Sequence, residues 1–465
     1  MSGPFKNSLA YFFKLNIMQA SALLKERRKK MKKITMSAVA LTAIMGSFSS
    51  VSAADGLNIL DDLKFDAQIR PRYEMVDDGL NATSNANAIT ARTKLKVTGN
   101  IFGVDGLSAS VGVISVNNFG YEDYNWNTSN NYDGLKRYSV VMDPQKAIIS
   151  NAELNYKIGD TLIHAGRGQV NLDNQRFIGT VGWRQLERSY DSVFVANNSV
   201  KNLSILAAWV YGLQGVVDAP TTDTNTVLLH AAYKVADPLT ITGYDYMIAN
   251  IHDTYGLALT GKVAMGPVKL DYRAEYAEQS DPTMEIHDHG ADMVDPLTGL
   301  WVSKKVDASY YNIDLGANIS GVLVGANYEY MSGKSLTDTS ATTKTFTTPL
   351  ATGHKFNGWA DMFLATPRGG LIDMNARVGY KAKGFGKLLA VYHEFTADEN
   401  MLDAYGVQTD DLGSEIDAVY VNKIPGVNGL TGMVKYADFS KGKVAGKDHD
   451  VQKFWVQLDY KFSSK

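Results

Sequence analysis

Arginine and lysine recur at every second position in segments whose other positions are apolar. Arg70 and Arg72, Arg92, Lys94 and Lys96, Arg167, Lys269 and Arg273, and Arg377 all sit in such patterns. Glu74, Glu153, Asp271, Glu275, Asp314 and Glu329 occupy the same polar positions. Side chains two apart leave a strand on one side, so these charges are expected to share one surface, with bases in excess of acids. A guanidinium stays charged and offers a planar fork to carboxylate or phosphate. A ring of such groups between low-dielectric walls draws anions. The chemistry expected is transient pairing with a passing anion. The competing reading is that the charges pair with one another and set no selectivity.

A second set lies between such segments. Asp173, Arg176, Trp183 and Arg184 belong to one connection with Phe177, Ile178 and Glu187. Mixed charge with large apolar groups is expected to fold into a lumen and constrict it, with structural packing of the loop on itself as the equal alternative. The segment with His354, Phe356, Trp359, Asp361 and Phe363 has the same character. Features of enzymes are missing. There is no cysteine, which excludes disulfides, zinc knuckles, iron–sulfur ligation and thiol nucleophiles. No Gly-x-Ser-x-Gly, P-loop or HExxH motif occurs, and the eight histidines are scattered. His287-Asp288-His289, near Glu285, Asp292 and Asp295, reads as a solvated loop and not as a metal site. No catalytic residue, metal or other cofactor is expected.

The elements that must position these groups are strands. Phe65, Ala67, Ile69, Tyr73 and Met75 alternate with Asp66, Gln68, Arg70, Arg72 and Glu74. Strict alternation marks a strand with one apolar and one polar face, and this one is long enough to cross a bilayer at a tilt. The pattern returns at Val268–Tyr276 and at Val322–Tyr330. It ends with Phe454, Val456, Leu458, Tyr460 and Phe462 against Trp455, Gln457, Asp459 and Lys461. Short turns near 103–106, 158–160, 236–238, 265–267, 320–321 and 383–387 alternate with long polar connections near 79–88, 118–147, 171–187, 213–225, 278–304, 332–370, 397–411 and 439–448. An all-β fold follows: one transmembrane antiparallel barrel of about 18 strands, with short periplasmic turns and long extracellular loops.

Composition agrees. The 465 residues are 45% hydrophobic and 20% charged, too apolar for disorder and too polar for a bundle of membrane helices. Residues 31–54 carry Lys32 and Lys33, a short apolar run and the small exit Val51-Ser52-Ala53-Ala54, the order of a secretory signal peptide. Glu26-Arg27-Arg28-Lys29-Lys30 can be encoded by a purine-rich ribosome-binding sequence, so Met31 is expected to be the natural start and residues 1–30 a leader. The barrel then occupies 55–465. Setting 1–54 aside removes nine of the 46 basic residues and one of the 49 acids, leaving a net charge of −11, which argues against a nucleic-acid partner.

Two segments go beyond periodicity. Ala165-Gly166-Arg167-Gly168-Gln169 through Trp183-Arg184-Gln185, and Thr348-Pro349 through Trp359-Ala360-Asp361-Met362-Phe363-Leu364, resemble the alginate-export family of outer-membrane β-barrels, which includes many porins. The final aromatic strand, ending in Tyr460-Lys461-Phe462, resembles the signal read by the barrel-assembly machinery. The resemblance implies an 18-stranded monomeric barrel in a Gram-negative outer membrane, in contact with its lipid and lipopolysaccharide. It implies a passive channel for small polar or anionic solutes. Export of an acidic polysaccharide such as alginate is the alternative within transport; a structural or adhesive surface protein is the alternative outside it.

Overall fold

The computed structural model describes residues 60–80, 83–126, 137–217, 221–284 and 305–464. The chain divides into two units, Met1–Asp61 with Ile101–Gly103, and Asp62–Asn100 with Val104–Lys465. The second unit is the barrel. Residues 1–30, the signal segment 31–54 and His287-Asp288-His289 lie outside the described residues.

The strands are β1 (Leu60–Asp77), β2 (Ala86–Ile101), β3 (Leu107–Asn117), β4 (Lys146–Ile158), β5 (Thr161–Gly168), β6 (Ser189–Asn197), β7 (Leu203–Gln214), β8 (Thr222–Ala236) and β9 (Leu239–Ile248). They continue as β10 (His252–Met265), β11 (Val268–Ser280), β12 (Ala308–Ile319), β13 (Val322–Met331), β14 (Leu371–Ala382), β15 (Gly386–Leu402), β16 (Gln408–Lys423), β17 (Leu430–Lys441) and β18 (Val451–Ser463). Neighbours in the chain are neighbours in one 18-stranded sheet. It closes where β1 meets β18 antiparallel, from Asp66 opposite Ser463 to Asp77 opposite Gln452. Closure leaves no edge strand with unpaired backbone groups, which a bilayer demands.

One end of the barrel carries connections as short as residues 159–160, 266–267 and 320–321; the other carries 118–145, 169–188 and 332–370. The short-turn end is periplasmic by the usual asymmetry of such barrels, and β1 begins and β18 ends there. One connection at the long-loop end, 249–251, is only three residues. It was absent from the sequence expectation, because its single turn residue, Asn250 at positive φ, is too short a signal to stand out as a long polar loop.

The two faces follow the alternation. Ile69, Val111, Leu154, Leu257, Leu315, Val378, Ile416 and Leu458 are exposed and point to lipid, while Gln68, Arg70, Arg72, Glu74, Arg92, Glu275, Glu329, Asp373 and Lys435 point inward and are buried. At the periplasmic end, tyrosines anchor to turn carbonyls: Tyr272 donates to Pro238 O at 2.7 Å and Tyr420 to Phe385 O at 2.6 Å. At the loop end of β10 and β11, Tyr255 and Tyr276 donate to Glu278, each at 2.6 Å.

One sequence assignment is overturned. Arg167 does not line the lumen. On β5 it shares its face with Ile163, and its register partners include Ala152 on β4 and Asp191 on β6. That face is the outer one, since Ile163, Leu154, Val193 and Val195 are all exposed there. His164, Gly166 and Gly168 take the inward positions, and His164 stacks on Phe194 at 4.4 Å. Arg167 is held instead by Asp191 in a bidentate pair, both contacts 2.6 Å, and by Thr221. By the alternation within β5, Arg167 is in phase with Ile163 and Ala165, which places it on the outer face.

Candidate functional site

The lumen is shaped by two loops that fold into it. The 169–188 loop leaves β5 and is pinned early by Asn171, whose side-chain oxygen accepts from Thr180 N and Oγ1 at 3.0 and 3.1 Å. Leu172 N donates to Ile178 O, closing the neck. Asp173, Gln175 and Val181 adopt positive φ, so the chain turns sharply enough to double back. Phe177 then enters an aromatic nest of Tyr244, Tyr246, Tyr310 and Phe346, with ring centroids 5.3–6.3 Å away. Such offset and edge contacts are the favourable aromatic geometries.

The 332–370 loop meets the first loop backbone to backbone. Gly179 N donates to Leu350 O at 2.9 Å, Thr352 N to Gln175 O at 3.1 Å, and Val181 N to Thr352 Oγ1 at 3.1 Å. Together they cross the lumen, and their charged side chains find partners on the wall. Arg176 makes a bidentate pair with Glu329 on β13, at 2.8 and 3.1 Å. Arg184 bridges Glu74 on β1, at 3.1 Å, and Asp361 of the other loop, at 2.9 Å. Glu187 takes Arg92 at 2.8 Å and Lys94 at 2.7 Å; these cations hold its carboxyl below the ordinary range although burial opposes them. Trp183 presents its carbonyl to Arg72 at 2.5 Å. Asp173 accepts from His230 on β8 at 3.2 Å.

The structure thus places Asp173, Arg176, Trp183 and Arg184 together inside the barrel, on a loop fastened to the wall. Arg70, Arg72 and Arg92 converge on that loop, but none has a free fork. Arg70 is taken by Asp459 at 3.1 Å and by Gly182 O at 2.9 Å. Arg72 lies 3.5 Å from Asp143 and 3.7 Å from Glu74. Lys96 pairs with Glu153. Buried pairs of this kind keep their geometry, because removing one partner leaves an uncompensated charge.

The accessible charge lies elsewhere in the lumen. Between the loops and the periplasmic turns is a cavity of about 650 Å³. Its wall carries Lys262 on β10, Arg273 on β11 and Arg377 on β14 together with the acids Asp237, Asp271, Asp314, Glu329 and Asp373, and its roof carries Lys355, Asn357 and Trp359 of the 332–370 loop. Arg273 spends two nitrogens on Glu275, each at 2.8 Å, and Arg377 holds Asp314 at 2.6 and 3.0 Å. Gly316 and Gly325 face each other in the β12–β13 register. A Cβ on Gly325 would sit 2.6 Å from the Arg377 guanidinium, and one on Gly316 2.6 Å from the Asp271 carboxylate. Two glycines therefore let both groups lie flat against the wall and keep the cavity open. The Lys355 ammonium donates to Asn174 O at 2.7 Å; burial and then Arg273 pull it below the ordinary lysine range. Lys269 is exposed on the inner face near the periplasmic mouth. Lys355 was missed from the sequence because nothing in a loop sequence tells which side chain faces the lumen.

No protein-family model and no curated protein matches the chain. Solved structures do. Pseudomonas aeruginosa OccK8 (OprE) superposes with a TM-score of 0.64 at 16% identity, covering 88% of this chain and 100% of that one. Acinetobacter baumannii OccAB4 gives 0.64 at 12% identity, covering 87% and 99%. Pseudomonas aeruginosa OpdK, determined with vanillate, gives 0.63 at 12% identity, covering 88% and 100%. The chain shares the fold of these barrels, a closed antiparallel barrel of outer-membrane type.

Proposed function

We propose that the chain is a passive channel of the outer membrane for small polar solutes, with a preference for anions. The observation that carries this reading is the lumen itself: an open cavity of about 650 Å³ beneath two loops fastened to the wall. A plain structural barrel has no need of Lys262 and Lys355 exposed to such a space. Vanillate, present in the OpdK structure, is a small aromatic carboxylate, and a solute of that class fits the cavity. An anion would exchange hydration for brief pairing with these cations, weakly enough to leave again.

Two finer readings belong to the same proposal. Export to the outer membrane is assigned to the signal at 31–54. Membership of the alginate-export family is supported by the two loop segments alone. The test is the reversal potential of single channels in planar bilayers under a salt gradient. Anion preference at low salt is the expected result. A cation-preferring channel overturns the selectivity. A barrel that inserts and does not conduct would favour the structural or adhesive reading.

A further inference from the structure

The two inward loops share one anchoring point on the wall, and it is built around a single ammonium. Lys435 on β17 points inward and is 5% exposed. Its Nζ lies 4.1 Å from the ring centre of Trp183 in the first loop, 3.9 Å from that of Trp359 in the second, and 5.1 Å from that of Trp455 on β18. It contacts Nε2 of His354, also in the second loop, at 2.7 Å. Among the described residues no carboxylate reaches ion-pair distance of this ammonium; its nearest acids, Asp361 and Asp417, pair with His354 and with the Trp359 amide. The indole nitrogens of Trp183 and Trp455 have no hydrogen-bond partner, so these rings are present for their faces.

We infer that Lys435 is the positioning residue that sets the bore of the channel. Ring faces attract a cation most strongly when it is shielded from water, and three indoles from three separate segments converge on this one. Two cations lie over Trp183, Lys435 and Arg72, the guanidinium of Arg72 4.2 Å from its ring centre. His354 stacks on Trp183 at 4.6 Å and meets the edge of Trp455 at 5.9 Å. The contact with Lys435 Nζ requires an unprotonated Nε2, so the Nδ1 proton goes to Asp361 at 2.6 Å. Asp361 in turn takes Arg184 of the first loop and Lys453 of β18, at 2.9 and 2.8 Å. Removing the ammonium therefore loosens the contact of both loops with β17 and β18 at once. The effect on conductance rests on the channel reading; the seat itself does not.

The experiment compares wild type, Lys435→Met, Lys435→Ala and Lys435→Arg in the full-length barrel, each first shown to be heat-modifiable on a gel. Single-channel conductance is read in planar bilayers, together with tryptophan emission in detergent. The Met and Ala variants are expected to raise conductance about twofold or more, as a wider bore conducts more, and to shift emission to the red. The Arg variant is expected to stay near wild type on both measures. Methylammonium added to Lys435→Ala should refill the cage and bring both readings back toward wild type. A folded Met or Ala variant with unchanged emission overturns the seat. Shifted emission with unchanged conductance overturns the assignment of bore. A wild type that never conducts, while the emission shift and amine rescue persist, would refute the channel and leave the seat standing.

Discussion

Lys262 and Lys355 are the residues on which selectivity should turn, because the arginines of β1 and β2 are already engaged. Replacing Arg72 and Arg92 by glutamate would bury new acids beside Glu74, Asp143 and Glu187 and loosen the loop, so it cannot report on selectivity cleanly. Lys262→Glu with Lys355→Glu changes charges that face the cavity. The expected outcome is loss or reversal of anion preference in the reversal potential with little change in conductance, and an unchanged reversal potential would exclude these lysines as the selective groups. His354 makes a second residue-scale prediction. Burial, against the pull of Asp361 and with the help of Lys435 and Arg184, holds its imidazole well below the ordinary range. A group depressed in the folded state contributes fully above its unfolded value, about 6.5, and loses that contribution as pH falls toward the folded one. Asp361, Glu415, Asp417 and Glu74 and the cations Lys435, Arg184, Arg72 and Lys453 surround or back this seat. Acidification below neutrality should therefore weaken it, seen as noisier current and redder tryptophan emission, and His354→Gln should remove the part of that response that begins near the imidazole range.

Strands were legible in the sequence because one face of each meets lipid and the other a polar lumen, and the period of two records that contrast. The alternation even placed Trp455 on the inner face, beside Gln457 and Asp459, where it lies in the structure. The charge of Arg167 misled the reading of β5, a strand of only eight residues in which Arg167 is in phase with the outward Ile163 and Ala165. Loops carried no such record. Trp183, Phe177 and Trp359 announced packing, but their partners come from strands far along the chain, such as Tyr244 on β9 for Phe177 and Trp455 on β18 for Trp183. The depth of a lipid-facing residue was also hidden. Tyr272 sits at the periplasmic interface, tied to Pro238, and not at the midplane. Leu259, opposite Ala274 and between the levels of the Tyr276 and Tyr272 anchors, lies in the apolar band and is exposed. Leu259→Arg should thus cost about 2–4 kcal/mol, whereas Tyr272→Arg should cost about 0–1 kcal/mol plus its hydrogen bond. Equilibrium unfolding from liposomes measures both, and equal costs would refute the depth assigned to them.

Across the whole barrel acids outnumber bases at the loop end, and bases gather at the periplasmic end of β14 to β16. The loop end carries Asp77, Asp78, Glu122, Asp123, Asp338, Asp403, Asp448 and Asp450. The periplasmic end of β14 to β16 carries Lys381, Lys383, Lys387 and Lys423, with no acid in the turn that joins β14 to β15. Lys381 stands directly opposite Lys387 in the β14–β15 register, an arrangement that like charges resist. It raises the local concentration of anions at the periplasmic mouth, while the outer rim lowers it. An anion current should then be larger when anions enter from the periplasmic side than when they enter from outside. The asymmetry should be strong at about 0.1 M salt, where screening reaches about 10 Å, and nearly gone at 1 M, where it reaches about 3 Å. Current–voltage curves from channels inserted in one orientation measure it directly. Lys381→Glu with Lys387→Glu should flatten the low-salt curve without altering the high-salt conductance, since both side chains lie far from the loops that narrow the bore. A symmetric wild-type curve at low salt would show that the lysines of the mouth are neutralised in place, and that the constriction alone governs which ions pass.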